Sequence, residues 1–185
     1  MEVNVKINFT DIKKLLKIVT EENKIKVGLL ADGGLEVSEN LDLAGLGAIQ
    51  EFGCQIPVTD KMRGFLSYKF GIHLKKDTTH IVIPSRSFLQ MPVERQHDLM
   101  KKFKKKVGNK DDILYYILKT GDTKSLAILL GASAVEQIQE AFDTGGWGTW
   151  APNSEVTIKG KGSSMPLVDT GNLRQHITFE VNDGG

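Results

Sequence analysis

MPLVDTGNLRQHITFEV, residues 165–181, is the stretch on which the reading of the chain turns. It holds an Asp-Thr-Gly triplet, Asp169 to Gly171, and then a strand-like alternation. In an aspartic protease such a triplet supplies one of two carboxylates that share a proton, because like charges a few ångströms apart cannot both ionise. A structural triplet behaves differently. Asp169 or Thr170 caps backbone N–H groups, Gly171 takes a conformation that other residues avoid, and the corner sets the register of the last strand. That strand places Ile177, Phe179 and Val181 on one face and His176, Thr178 and Glu180 on the other. The order of the chain favours the corner. A protease of this type needs a glycine-bearing flap and an apolar-apolar-glycine crossing after the triplet. Sixteen residues follow Asp169, and the one Leu-Leu-Gly, Leu129 to Gly131, lies upstream inside a helical pattern.

Working outward, MEVNVKINF at the start alternates in the same way, and KIKVGLLA (24–31) reads as a further strand. Between them DIKKLLKIVTEEN has the apolar spacing of a helix. ADGGLEVSEN (31–40) reads as a loop and LDLAGLGAIQEFG (41–53) as a short helix, with Leu41, Ala44, Ala48 and Phe52 on one stripe. Residues 58–80 form an excursion with a helix, DKMRGFLSYKF, at its tip, followed by the strand THIVIP. VERQHDLMKKFKKKVGNK (93–110) is helical, with Val93, Met100, Phe103 and Val107 inward and Gly108 as its C-cap. A short helix is expected from Asp111 to about Thr120. TKSLAILLGASAVEQIQEAF (123–142) is the longest helix, with Ala127, Leu130, Ala134, Ile138 and Ala141 inward. A long loop covers about 143–155, and SEVTI after it reads as a short strand. Strands at both ends with helices between make one α+β domain, residues 1–185, in which a largely antiparallel sheet packs against helices.

Composition narrows the function classes. The 185 residues are 40% apolar and 25% charged with a formal charge of +1, a globular mix without a global field for nucleic acid or membrane. A single cysteine, Cys54, rules out an internal disulfide. No run is long enough for a membrane span, and the N-terminus lacks the apolar core of a secretory signal, so synthesis in the cytosol is expected. His73, His80, His97 and His176 have no metal-ligand spacing, and KGKGSS lacks the spacing of a phosphate loop, so neither a metal nor a cofactor is expected. Lys101, Lys102, Lys104, Lys105 and Lys106 surround the inward Phe103. They form either a solvated helix face or a patch that meets DNA phosphates. Trp147 and Trp150, in GGWGTW, either fold back on their own domain or dock on a neighbouring subunit.

Three segments together carry a resemblance. They are GAIQEFGCQIP (47–57), IPSRSFLQMP (83–92) and KGKGSSMPLVDTGNLRQHITFEV (159–181), with LLGASAVEQIQEAF as a weaker fourth. In order and spacing, over roughly residues 25–181, the chain resembles the tailed-bacteriophage neck and tail-completion family of virion morphogenesis, or head–tail connector, proteins. It departs in carrying the 58–80 insertion, in Ser87 where many relatives have proline, and in GGWGTW where a polar linker is usual. The resemblance implies a non-enzymatic virion protein of the head–tail junction, made in the host cytoplasm. It would form a sixfold or twelvefold ring of itself between a portal adaptor or head-completion protein and a tail terminator or tail tube protein. Packaged DNA would touch it only in passing. It further implies structural roles for Glu51, Phe52, Gly53, Pro57, Pro84, Arg86, Phe88, Pro166, Leu167, Asp169, Thr170, Gly171 and Leu173. Arg86 would bind carboxylates or carbonyls, and Phe88 would fill the core. Contacts between subunits or with partners are expected at Phe65, Tyr68, Phe70, Trp147 and Trp150. The competing enzyme reading rests on Asp169-Thr170-Gly171, and the competing DNA-binding reading on the lysine helix.

Overall fold

In the alternating stretches at 25–29 and 177–181, every second residue is apolar, and the strands that hold them pair antiparallel. β1 (Asn23–Leu29) and β6 (Ile177–Asp183) match Ile25 with Val181, Val27 with Phe179 and Leu29 with Ile177, so apolar side chains stand opposite one another on a single face. The computed structural model describes residues 23–30, 36–38, 41–108, 122–167 and 171–183. The strand expected at 1–9 and the helices expected at 11–23 and 111–120 lie largely or wholly outside them.

Among the described residues the strands form three two-stranded antiparallel sheets: β1 with β6, β2 (Glu36–Ser38) with β3 (Leu41–Asp42), and β4 (Cys54–Pro57) with β5 (His80–Ile83). The helices are α1 (Leu43–Phe52), α2 (Asp60–Phe70), α3 (Gln90–Glu94), α4 (Gln96–Val107), α5 (Lys124–Thr144), α6 (Glu155–Lys161) and α7 (Asn172–Gln175). The architecture is α+β, with antiparallel strands and helices segregated as the end-strand pattern requires.

α5 is the central element. Its buried face, Ala127, Gly131, Ala134, Ile138 and Ala141, is mostly small, so the helix lies close to the β1–β6 pair. Gly131 is the point of closest approach, where a Cβ would overlap the ring of Phe179. Around the other end of α5, Leu43, Phe88, Phe142, Trp150, Leu173 and Ile177 complete the main core. Phe88, Phe142 and Trp150 stack edge-to-face in series, with centroids 5.5 and 5.7 Å apart. A smaller cluster of Phe103, Leu126 and Ala127 joins α4 to α5.

Five details differ from the expectations. The ADGGLEVSEN loop contains strand β2, which pairs with β3. In α1 the buried stripe is Leu43, Gly47 and Glu51; Ala44 and Ala48 face outward and Phe52 is 74% exposed. Two of the three buried positions are a glycine and a glutamate, which an apolar periodicity does not mark. The 93–110 helix breaks at Arg95 (φ −75°, ψ 56°), so Val93 belongs to the separate α3 and is exposed. SEVTI is helical rather than extended. Ser154 accepts from the Thr157 N–H and Gly162 closes the far end in the left-handed conformation, so two caps outweigh a β-branched composition. Residues 145–150 are a wound turn instead of an open loop, with Gly146 N–H bonding Ala141 O and Trp150 N–H bonding Gly145 O.

Candidate functional site

The Glu-Phe-Gly and Ile-Pro-Ser-Arg-Ser-Phe-Leu motifs meet in space. Glu51, at the buried end of α1, aims its carboxylate at the start of α3. It accepts from the N–H groups of Phe88 (2.7 Å), Leu89 (2.9 Å) and Gln90 (3.1 Å) and from the Ser87 hydroxyl (2.6 Å). The first turn of a helix has N–H groups without intrahelical partners, and α3 has no cap from its own Leu89 side chain. A carboxylate from another helix does that work here, and charge-assisted bonds of this kind are about twice as strong as neutral ones.

Arg86 performs the converse task. It is 7% exposed and donates to the carbonyls of Ala151 (2.9 Å) and Pro152 (3.2 Å), with longer bonds to the side-chain oxygens of Gln50 and Asn153. Burial lowers the pKa of its guanidinium from the ordinary arginine value. The carbonyls belong to the segment after GGWGTW rather than to the turn that carries Arg86. Trp150 adds to the clamp, since its indole N–H donates to Ser87 O at 3.3 Å. Three distant segments, 50–53, 85–91 and 146–153, are thus tied at one node, with Phe88 fully buried beneath it.

Gly53 fixes how the chain leaves this node. Its φ of 74° with ψ of 169° is open essentially to glycine alone, and a Cβ there would lie 2.8 Å from both Ile83 O and Ser85 N. The strands entering and leaving the 58–80 excursion therefore touch at their root. Beyond it, β4 and β5 pair from Cys54↔Ile83 to Pro57↔His80, and α2 crowns the hairpin.

The resulting arm is braced internally. Thr59 caps α2 by accepting from Met62 N–H, and Gly71 ends it in the left-handed conformation. Arg63 reaches across and donates to the carbonyls of Leu74, Lys75, Lys76 and Thr78, binding the return segment to the helix. None of the side chains of α2 is buried. Tyr68 is 94% exposed, Phe65 52% and Phe70 46%. Phe65 and Phe70 meet edge-to-face at 5.9 Å with the Lys69 ammonium 5.5–5.7 Å from each ring. The inner side of Phe70 faces Gly160 of α6.

The other expected positions divide. Trp150 is 8% exposed and belongs to the chain's own core, which corrects its assignment as a partner contact; the glycines of its loop let the chain fold back on itself. Trp147 is half-buried against the same core, with Arg95 4.2 Å above its ring and its N–H directed at Glu140. Lys102 and Lys106, four residues apart, face α5 and pair with Glu140 and Glu136 at 2.6 Å each. The bond from Lys106, aided by the nearby lysine charges, lowers the pKa of the Glu136 carboxyl from its ordinary value. These two lysines are engaged within the protein, while Lys101 and Lys105 point to solvent. Pro166 and Leu167 lie in a turn in which Leu167 adopts φ 60° and packs on the core, and Leu173 is buried. Asp169 and Thr170 lie outside the described residues; Gly171 takes φ 81° and opens α7. Among the described residues no group of three or more His, Cys, Asp or Glu side chains is placed to hold a metal ion, and no helix is long and apolar enough to cross a membrane. Comparison with protein-family models, curated proteins and solved structures finds no match to the chain.

Proposed function

We propose that the chain is a structural virion protein of the tailed-phage head–tail junction. In this reading it is a neck or tail-completion subunit that joins copies of itself into a ring between the portal complex and the tail. The observation that carries the assembly part of it is the arm of residues 54–83, braced by Arg63, which leaves Tyr68 in solvent and Phe65 and Phe70 about half exposed. Three aromatic rings kept out of the core by a capped helix and an arginine brace serve contact with another surface, since such rings are enriched where binding energy concentrates. The residues that carry the resemblance support it in a second way. Glu51 and Arg86 bind backbone and Phe88 fills core within the chain, while the conformation of Gly53 lets the strands meet, so these positions are committed to holding the arm's root. No catalytic group enters this account.

Microscopy of purified particles, with the chain located in the density between portal and tail, tests the reading. A ring of copies at that position is the expected result. Particles that lack the chain altogether overturn it.

A further inference from the structure

A second exposed apolar feature lies on the body, away from the arm's tip. β1, α1 and α3 surround a groove of about 560 Å³, a volume within the usual range for binding clefts. Leu29 and Leu89 line it with Ala48, and Phe52 and Val93 stand at its edge, 74% and 43% exposed. Among the described residues its charged lining groups are Glu51 and Glu94, with no lysine or arginine.

The arm has the complementary character. Residues 58–80 hold Lys61, Arg63, Lys69, Lys75 and Lys76 against Asp60 and Asp77, a formal charge of +3. The whole chain is +1, so the remainder is −2. The exposed parts of Phe65, Tyr68 and Phe70 amount to roughly 300–500 Å² of ring surface, about half of the ~800 Å² that one partner contributes to a standard interface. A basic, aromatic projection and an apolar cleft edged by the Glu94 carboxylate match in sign, the Glu51 carboxylate being engaged with the 87–90 segment.

We infer that the arm of one copy docks in the β1–α1–α3 groove of a second copy, with Tyr68 and Phe65 entering and Lys75 or Lys76 meeting Glu94. Arm and groove are different surfaces of one subunit, so the contact is heterologous and each copy both gives and receives. The inference deepens the assembly reading above and takes the arm as the contact from it.

Complementary variants test it. Tyr68→Glu with Phe65→Ser removes the arm's contact, and Ala48→Arg blocks the groove at a solvent-facing helix position. Val93→Arg is a second block should Ala48→Arg disturb folding, which circular dichroism detects. By native mass spectrometry the wild type forms oligomers, each variant alone stays monomeric, and their equimolar mixture forms a heterodimer and nothing larger. One intact arm then meets one intact groove, and the remaining arm and groove are both disabled. A wild type that stays monomeric up to roughly 1 mM overturns the inference. So does a mixture that stays monomeric, or a groove variant that assembles as the wild type does. So does an arm variant that loses affinity for a DNA duplex with self-association unchanged. The chain found in particles with a failed mixing test removes this inference alone; a successful mixing test with particles lacking the chain removes only the virion reading.

Discussion

Glu51 and Trp150 show how much one side chain can decide here. Removing the Glu51 carboxylate leaves the N–H groups of Phe88, Leu89 and Gln90 without their acceptor at a largely buried position. Glu51→Ala is therefore expected to lower stability by about 2–3 kcal/mol in denaturant unfolding, and Glu51→Gln, which keeps two contacts at most, by less. Trp150→Ala opens the aromatic series against Phe142 and should cost about 3–5 kcal/mol. Trp147→Ala removes a half-buried ring and its contact with Arg95 and should cost roughly 1 kcal/mol. Thermal unfolding of the two variants side by side checks the order, and equal losses would contradict the burial. Part of this was legible in the motifs, which marked Glu51, Gly53, Arg86 and Phe88 as structural. The partners were not legible. Glu51 and Arg86 bind peptide groups 37 to 66 residues away, and a peptide N–H or C=O looks the same at every position of a sequence.

Among the elements, the contact between α4 and α5 combines a buried seam with an ionic rim. Leu99 and Phe103 are buried on α4, Phe103 clusters with Leu126 and Ala127 of α5, and Lys102 and Lys106 meet Glu140 and Glu136 at the edge. Because the folded-state pKa of Glu136 is lowered, its contribution is present at neutral pH and is lost as pH falls through that lowered value. Glu136→Gln should thus flatten the acid side of the stability profile, where pH falls below the ordinary glutamate range. The difference from wild type at neutral pH should stay below about 1 kcal/mol because the pair is exposed to solvent. A profile with the same acid slope in both proteins would show the rim to be inert. Periodicity located α5 and the last strand well, since each buries a stripe of matching residues. It failed at α6, where capping by Ser154 and Gly162 outweighs composition, and at Arg95, where a break without glycine or proline leaves no mark.

The molecule as a whole consists of a body assembled around α5 and an arm joined to it by two adjacent strands. That division was legible as the 58–80 excursion, because its apolar residues lack the spacing of a core-facing element. The destination of the GGWGTW tryptophans was not, because composition alone does not say which surface a ring will cover. Among the described residues the arm meets the body where Phe70 faces Gly160 of α6. Replacing residues 55–82 by a two-residue turn such as Asn-Gly should leave the unfolding transition of the body within about 1 kcal/mol of the full chain while abolishing self-association. Collapse of the body after this excision would show that the arm helps to hold the core.

The closed root at Gly53 carries a wider meaning. Because the outgoing and returning strands touch there, the polypeptide enters and leaves the arm at nearly one point, and everything between behaves as an exchangeable cassette. A lineage can lengthen, recharge or swap that cassette to suit a new neighbour while the supporting body stays as it is.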